Sequence, residues 1–185
     1  PPPPPHRGGG GGGGGGGDRG ERGANDAHQA VQRHRATIVE CVKDTDISIR
    51  RRALELVYSL VNENNIRTLT KELLDYLSVA DQEFKEDLTA KICMLIQRFS
   101  PDRKWYVDQM VQVLSQAGAN VREEACRAFI VLVTNTPNLQ AYATRALYRT
   151  LAASVDAAAP PLTLTALWCI GEFGEMLLGG GGGGG

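Results

Sequence analysis

Apolar positions return every three to four residues through nearly all of residues 24–178. In "DISIRRRALELVYSLVN", with Ile49 as origin, Ala53, Leu56, Val57 and Leu60 fall at i+4, i+7, i+8 and i+11, a single stripe along one helix. Arg51 lies opposite that stripe, and Arg50 and Arg52 flank it. Asp46 precedes the helix as its N-cap, and "NENN" after Val61 ends it. The same reading predicts eight helices, near 26–43, 47–62, 65–79, 82–99, 102–117, 119–134, 138–154 and 161–178. Pro101 and Pro137 punctuate the joins, and Pro160–Pro161 opens the last helix after a flexible "VDAAA". No useful length alternates with period two, so no strand is predicted.

The helices repeat. An apolar residue, a polar or basic one and, three further on, a small or apolar one occur as Ile49-Arg50-x-x-Ala53, Phe84-Lys85-x-x-Leu88 and Val121-Arg122-x-x-Ala125, and more weakly as Leu162-Thr163-x-x-Ala166. The intervals are 35, 37 and 41 residues. The preceding helices keep the same time, closing with Val42, Leu77, Leu114 and Leu151 at intervals of 35, 37 and 37. Two markers with one period predict an all-α fold, a right-handed α-solenoid of four HEAT/armadillo-like helix pairs. The Trp, Leu-Gly and Tyr pattern of tetratricopeptide repeats is missing.

Composition divides the 185 residues into three. Gly and Pro crowd residues 1–23, glycine alone fills 179–185, and only Gly118, Gly171 and Gly174 remain between. Both tails are expected to be disordered, because glycine loses most conformational freedom on ordering and buries no side chain. Residues 24–178 have the length of one domain with a real core. They carry 17 Lys and Arg against 19 Asp and Glu, a balance that predicts no general affinity for nucleic acid or acidic membranes. No apolar run reaches the 18 residues of a membrane span, and the N-terminal tail lacks the apolar core of a secretory signal. A cytosolic address is expected.

Little in the chain suggests catalysis. His28 and His34 stand six apart on one helix, the wrong spacing for a shared metal. There is no HExxH, no GxSxG, and no glycine loop ending in Lys-Ser/Thr. Cys41, Cys93, Cys126 and Cys169 lack CxxC spacing and read as small core residues. No catalytic residue, cofactor or metal ligand is therefore assigned. "LLDYL" at Leu73 to Leu77 resembles short clathrin-binding peptides but lies inside a periodic helix, which predicts core packing.

Two basic clusters, Arg33-His34-Arg35 and Arg50-Arg51-Arg52, fall on neighbouring helices. Arg50, Lys85 and Arg122 share one repeat position, so they are expected to pair between stacked units with acids such as Asp46, Glu83 or Glu123. Arg35 and Arg51 escape that argument and are the candidate contacts for an acidic partner or a phosphoinositide headgroup.

The wording of several helices is also informative. "VQRHRATIVECVKDTDISIRRRALELVYSLVNENNIRTLTKELLDYL", "FSPDRKWYVDQMVQVLSQAG", "AYATRALYRTL" and "WCIGEFGE" resemble, in this order, the gamma-adaptins, large subunits of a clathrin adaptor complex. Alpha-adaptins share "RH", "WYVD", "AG" and "GEFG"; "IRRRALEL", "NNIR-x-L-x-KELL" and "WCIGE" favour gamma. The resemblance implies a non-catalytic scaffold working between trans-Golgi network and endosomes. Its expected partners are a beta-type large, a medium mu-type and a small sigma-type subunit, with an Arf-family GTPase, clathrin and cargo reached through the complex. It implies a cytoplasmic protein, peripheral on Golgi and endosomal membranes and coated vesicles. The matching stretch corresponds to the middle-to-late trunk, without the family's early repeats, hinge or ear, and no ligand residue is carried over. The alternatives are another HEAT-type scaffold, such as a nuclear transport receptor or a phosphatase scaffold, and a fragment that assembles with nothing. Gly171 and Gly174, three apart, are expected to admit a neighbouring helix beside Trp168 and Phe173.

Overall fold

The computed structural model describes residues 33–154 and 156–178, together with Pro1 and Gln29. The rest of both expected tails, His28 and most of the first turns expected of the first helix lie outside the described residues. Among the described residues there are nine α-helices, one 3-10 turn and no strand. The helices are α1 (Arg35–Cys41), α2 (Ile47–Leu60), α3 (Ile66–Leu77), α4 (Gln82–Phe99), α5 (Arg103–Gln116), α6 (Glu123–Thr134), α7 (Pro137–Ala153), α8 (Pro160–Phe173) and the single turn α9 (Glu175–Leu178).

Local chemistry sets these boundaries. Asp46 caps α2 by accepting from the Ser48 N–H at 2.7 Å, as its position before the helix predicts. Asp81 does the same for α4 through the Phe84 N–H at 3.0 Å, and Asp102 for α5 through the Trp105 N–H at 2.7 Å. Pro137 and Pro160 occupy the first turns of α7 and α8, where a missing N–H costs nothing. Between α5 and α6 the 3-10 turn Gly118–Asn120 opens on Gly118 at φ +60°, a conformation open to glycine without a Cβ clash. The last expected helix is split at Gly174. Its N–H still bonds the Ile170 carbonyl at 2.8 Å, but the next bond, from Leu177 N–H to the Gly174 carbonyl at 2.9 Å, belongs to a tighter turn.

The helices stack in pairs. α2 packs on α1, α4 on α3 and α8 on α7. Along the stack α3, α5 and α7 lie side by side in one layer, while α2 meets α4 and α6 meets α8 in the other. Tyr106 of α5 stacks on Phe129 of α6 at 6.4 Å between ring centroids. The described residues thus form an all-α solenoid with one continuous core between its layers.

The core corrects two details of the sequence reading. On α2 the buried residues are Arg50, Ala53, Leu54, Val57 and Leu60, while Ile49 and Leu56 are 44% and 41% exposed. The inward face is therefore turned from the one counted from Ile49 and includes Arg50, a residue that pattern matching scores as polar. The fourth repeat also shifts. Val57, Ile92, Phe129 and Ala166 are each fully buried at intervals of 35, 37 and 37, the same intervals as Val42, Leu77, Leu114 and Leu151. Leu162 thus corresponds to Ala125 rather than to Val121, and the 41-residue interval disappears.

Candidate partner-binding surface

Successive repeats are tied by charge. Arg50 pairs with Asp81, Arg51 with Asp87 at 2.7 Å, Lys91 with Glu55 at 2.7 Å, Arg67 with Asp102 at 3.0 Å, and Arg122 with Glu86 at 3.2 Å. Each pair joins neighbouring repeats, across 31 to 36 residues of sequence. Neutral acceptors extend the pattern: Arg98 donates to the Tyr58 hydroxyl at 2.8 Å, Arg103 to Thr136 at 3.0 Å and Lys104 to the Tyr142 hydroxyl at 3.0 Å. Most of these groups are water-exposed, so each contributes little alone and together they fix register more than they stabilise.

Arg50 differs. Its side chain is buried, its guanidinium lies 4.9 Å from the centroid of the Phe84 ring, and it donates to Asp81, whose carboxylate reaches water. The hydrogen bond from Arg50 and then the Phe84 N–H hold the Asp81 carboxyl below its ordinary range, and Asp81 in turn raises Arg50. The Arg50 Nε finds no partner among the described residues. Repeat-to-repeat pairing at this position thus holds for Arg50 and Arg122, but with Asp81 and Glu86. Asp46 instead caps α2 and Glu123 pairs with Arg127 on its own helix, while Lys85 makes no ion pair among the described residues. The expected acids sit too near in sequence; the partners that reach across come from the neighbouring repeat.

The candidate cations separate on the structure. Arg51 is no exception to the inter-repeat pattern, since its Nε donates to Asp87. That pair is about half exposed on both sides. Arg52 and Arg33 are exposed, and Arg35, in the first turn of α1, is half-buried without an ion pair among the described residues. A shallow groove formed by Ser48, Ile49, Arg51, Arg52 and Glu55 lies on α2.

Other sequence features resolve into packing. Leu73, Leu74 and Leu77 of "LLDYL" are buried in the core. Cys93 and Cys169 are buried free thiols, pushed up to about 12 and about 11 by that burial, while Cys41 and Cys126 are half-buried. Among the described residues no group of three or more His, Cys, Asp or Glu could hold a metal ion, and no helix is long and apolar enough to cross a membrane. "WCIGEFGE" is arranged differently from expectation. Gly171 is exposed with nothing near a would-be Cβ, and at Gly174 a Cβ would strike the Ile170 carbonyl of its own helix rather than a neighbour. Trp168 and Phe173 meet edge to face at 5.9 Å on one helix, so these aromatics pack on each other.

Comparison with known proteins gives this surface its context. The profile of the adaptin N-terminal region matches residues 23–179. The chain is 56% identical over 150 residues to the AP-1 complex subunit gamma-2 of Arabidopsis thaliana, covering 81% of this chain and 17% of that relative. Identity is 42% over 153 residues to the human AP-1 complex subunit gamma-like 2, covering 83% and 19%. It falls to 34% over 152 residues for an Arabidopsis AP-2 complex subunit alpha-1, covering 82% and 15%. The chain therefore spans less than a fifth of the length of these relatives. With a helical solenoid stacked at 35–37-residue intervals and an identity that rises from alpha to gamma subunits, the chain belongs to the adaptin N-terminal region family, on its gamma-adaptin side.

Proposed function

We propose that this chain is part of the scaffold of a clathrin adaptor coat, serving vesicle-mediated protein transport between the trans-Golgi network and endosomes. In this reading it does no chemistry. It offers a rigid stack on which a beta-type large, a medium mu-type and a small sigma-type subunit assemble, and through them an Arf-family GTPase, clathrin and cargo. It acts in the cytoplasm, peripheral on membranes through that complex. The observation that carries the proposal is the adaptin match along the whole described solenoid, with gamma subunits of AP-1 complexes among its relatives. The physics agrees: stacked helix pairs expose a long surface able to hold several partners at once.

Arg35 and Arg51 are the cations proposed to meet an acidic partner or headgroup. Arg51 can serve because its pair with Asp87 is solvent-screened and worth little, so a stronger anion can take the guanidinium from it. Charge reversal at both positions is expected to weaken binding to acidic liposomes or partners without moving the melting curve. Unchanged binding removes the patch.

The test of function is affinity purification of the full chain from cells, followed by mass spectrometry. Recovery of sigma- and mu-type adaptor subunits supports the proposal. Recovery of a GTPase–cargo pair or a phosphatase catalytic subunit, without adaptor subunits, overturns it in favour of another scaffold.

A further inference from the structure

The repeat register leaves three large apolar side chains in water at one position. Met94 of α4, Val131 of α6 and Trp168 of α8 stand 37 residues apart and are 47%, 57% and 38% exposed. The residues two before them, Ile92, Phe129 and Ala166, are fully buried, so this row points away from the core. In the first repeat the same position is Ser59, and the row begins only at α4. It is broad at α8, where Leu164 and Leu167 are also exposed.

Two grooves run between these ridges. One, of about 240 Å³, lies between α4 and α6 over Ala90, Cys93, Met94 and Ala125. The other, of about 490 Å³, lies between α6 and α8 over Cys126, Ile130, Leu164 and Trp168. The α2–α4 junction in this layer is stitched by Arg51–Asp87 and Lys91–Glu55; no such pair among the described residues crosses from α6 to α8. Of the cations along this row, Arg122 pairs with Glu86 and Arg127 with Glu123, while Arg98, one turn beyond Met94, donates to the Tyr58 hydroxyl. Glu124, on the wall of the first groove, and Glu172, one turn beyond Trp168, have no cation among the described residues.

We infer that the row Met94–Val131–Trp168 is a docking surface for a basic amphipathic helix of a partner protein, laid across α4, α6 and α8. Spacing supports a helix. Packed helices stand roughly 8–10 Å apart, so neighbouring grooves repeat at about that distance. Seven residues of helix rise about 10.5 Å, so apolar side chains at i and i+7 fall into successive grooves. Charge supports a basic flank, since Lys or Arg beside the apolar stripe would answer Glu124 and Glu172. This deepens the scaffold reading by naming the face and the chemistry of one partner.

The experiment uses the full chain and two synthetic 18-residue helices with leucine at i, i+3, i+4 and i+7, one flanked by lysines and one by glutamates. Fluorescence anisotropy of the labelled peptides gives affinity, and the exposed indole of Trp168 reports contact by a blue shift. The lysine helix is expected to bind at least about tenfold more tightly than the glutamate helix, and V131D to weaken it by at least about tenfold. Circular dichroism should show V131D folded, since Val131 is exposed; Trp168→Ala supplies a second variant. Equal binding of the two peptides, or unchanged binding to both folded variants, overturns the proposal. Peptide binding that persists when no adaptor subunit co-purifies sinks the coat assignment and leaves the docking surface standing. Adaptor assembly with peptide binding unaffected by V131D does the reverse.

Discussion

Replacing Arg50 tests how the first two repeats are joined. Arg50→Ala removes two buried methylenes, worth about 0.8 kcal/mol each, and the contact with the Phe84 ring, worth about 1–2 kcal/mol where water is excluded. The unpartnered Nε–H disappears with it, which offsets part of the loss. Asp81 is left facing water rather than buried alone, so the large penalty for an orphaned interior charge does not apply. The expected net loss is about 2–3 kcal/mol. Arg50→Met keeps the methylenes and a polarisable group over Phe84 and drops the orphaned donor, so it should stay within about 1 kcal/mol of the natural chain. Asp81→Asn keeps the N-cap and should cost less than Arg50→Ala. Urea unfolding at pH 7, followed by circular dichroism and Trp fluorescence, measures all three, with coincident transitions checking two-state behaviour. If Arg50→Met lost as much as Arg50→Ala, the ion pair rather than the packing would dominate, and this reasoning would be refuted.

Three further outcomes follow from the same structure. Phe129→Ala should cost about 3–5 kcal/mol while Val131→Ala, two residues away, stays within about 0.5 kcal/mol; comparable losses would mean that α6 is turned differently in the stack. Gly118→Ala should cost about 1 kcal/mol through its positive φ alone, because the nearest atom to a new Cβ, that of Ala159, is 3.9 Å away; a neutral result would count against the left-handed turn. The Asp81 carboxyl is lowered first by Arg50, and that of Asp102 first by the Trp105 N–H and then by Arg67. Their unfolded forms therefore bind protons more readily, so the stability they contribute is complete above about pH 4–5 and is lost as pH falls through their folded values. Urea midpoints between pH 7 and 3 should fall on the acid side, and less steeply for Asp81→Asn.

Much of this architecture is legible in the chain because local rules and packing agree. Asp46 before an apolar run and proline at the start of α7 and α8 each mark a boundary that the backbone observes. The 35 and 37 intervals survive because every repeat must bury the same face. The sequence is silent where a residue's role depends on one far away. Arg50 counts as polar in any window, and only Phe84 and Asp81, in the next repeat, make its burial tolerable. For the same reason Arg51 reads as free until Asp87 is placed beside it. The spacing of Gly171 and Gly174 predicts a helix contact, but spacing carries no information about whether a neighbour is present. The row Met94, Val131 and Trp168 has a signal in the sequence, its 37-residue interval, yet apolar residues score as core until burial separates the inward row from the outward one.

The central proposal is that this adaptin-family solenoid is a scaffold whose outward repeat surface holds partner subunits. Co-expression of the full chain with small sigma-type and medium mu-type adaptor subunits, followed by size-exclusion chromatography, tests it most directly. The account predicts co-elution in a defined complex, with V131D, though folded, losing at least one subunit. Elution of the natural chain alone, as a folded monomer with both subunits in separate fractions, would contradict it.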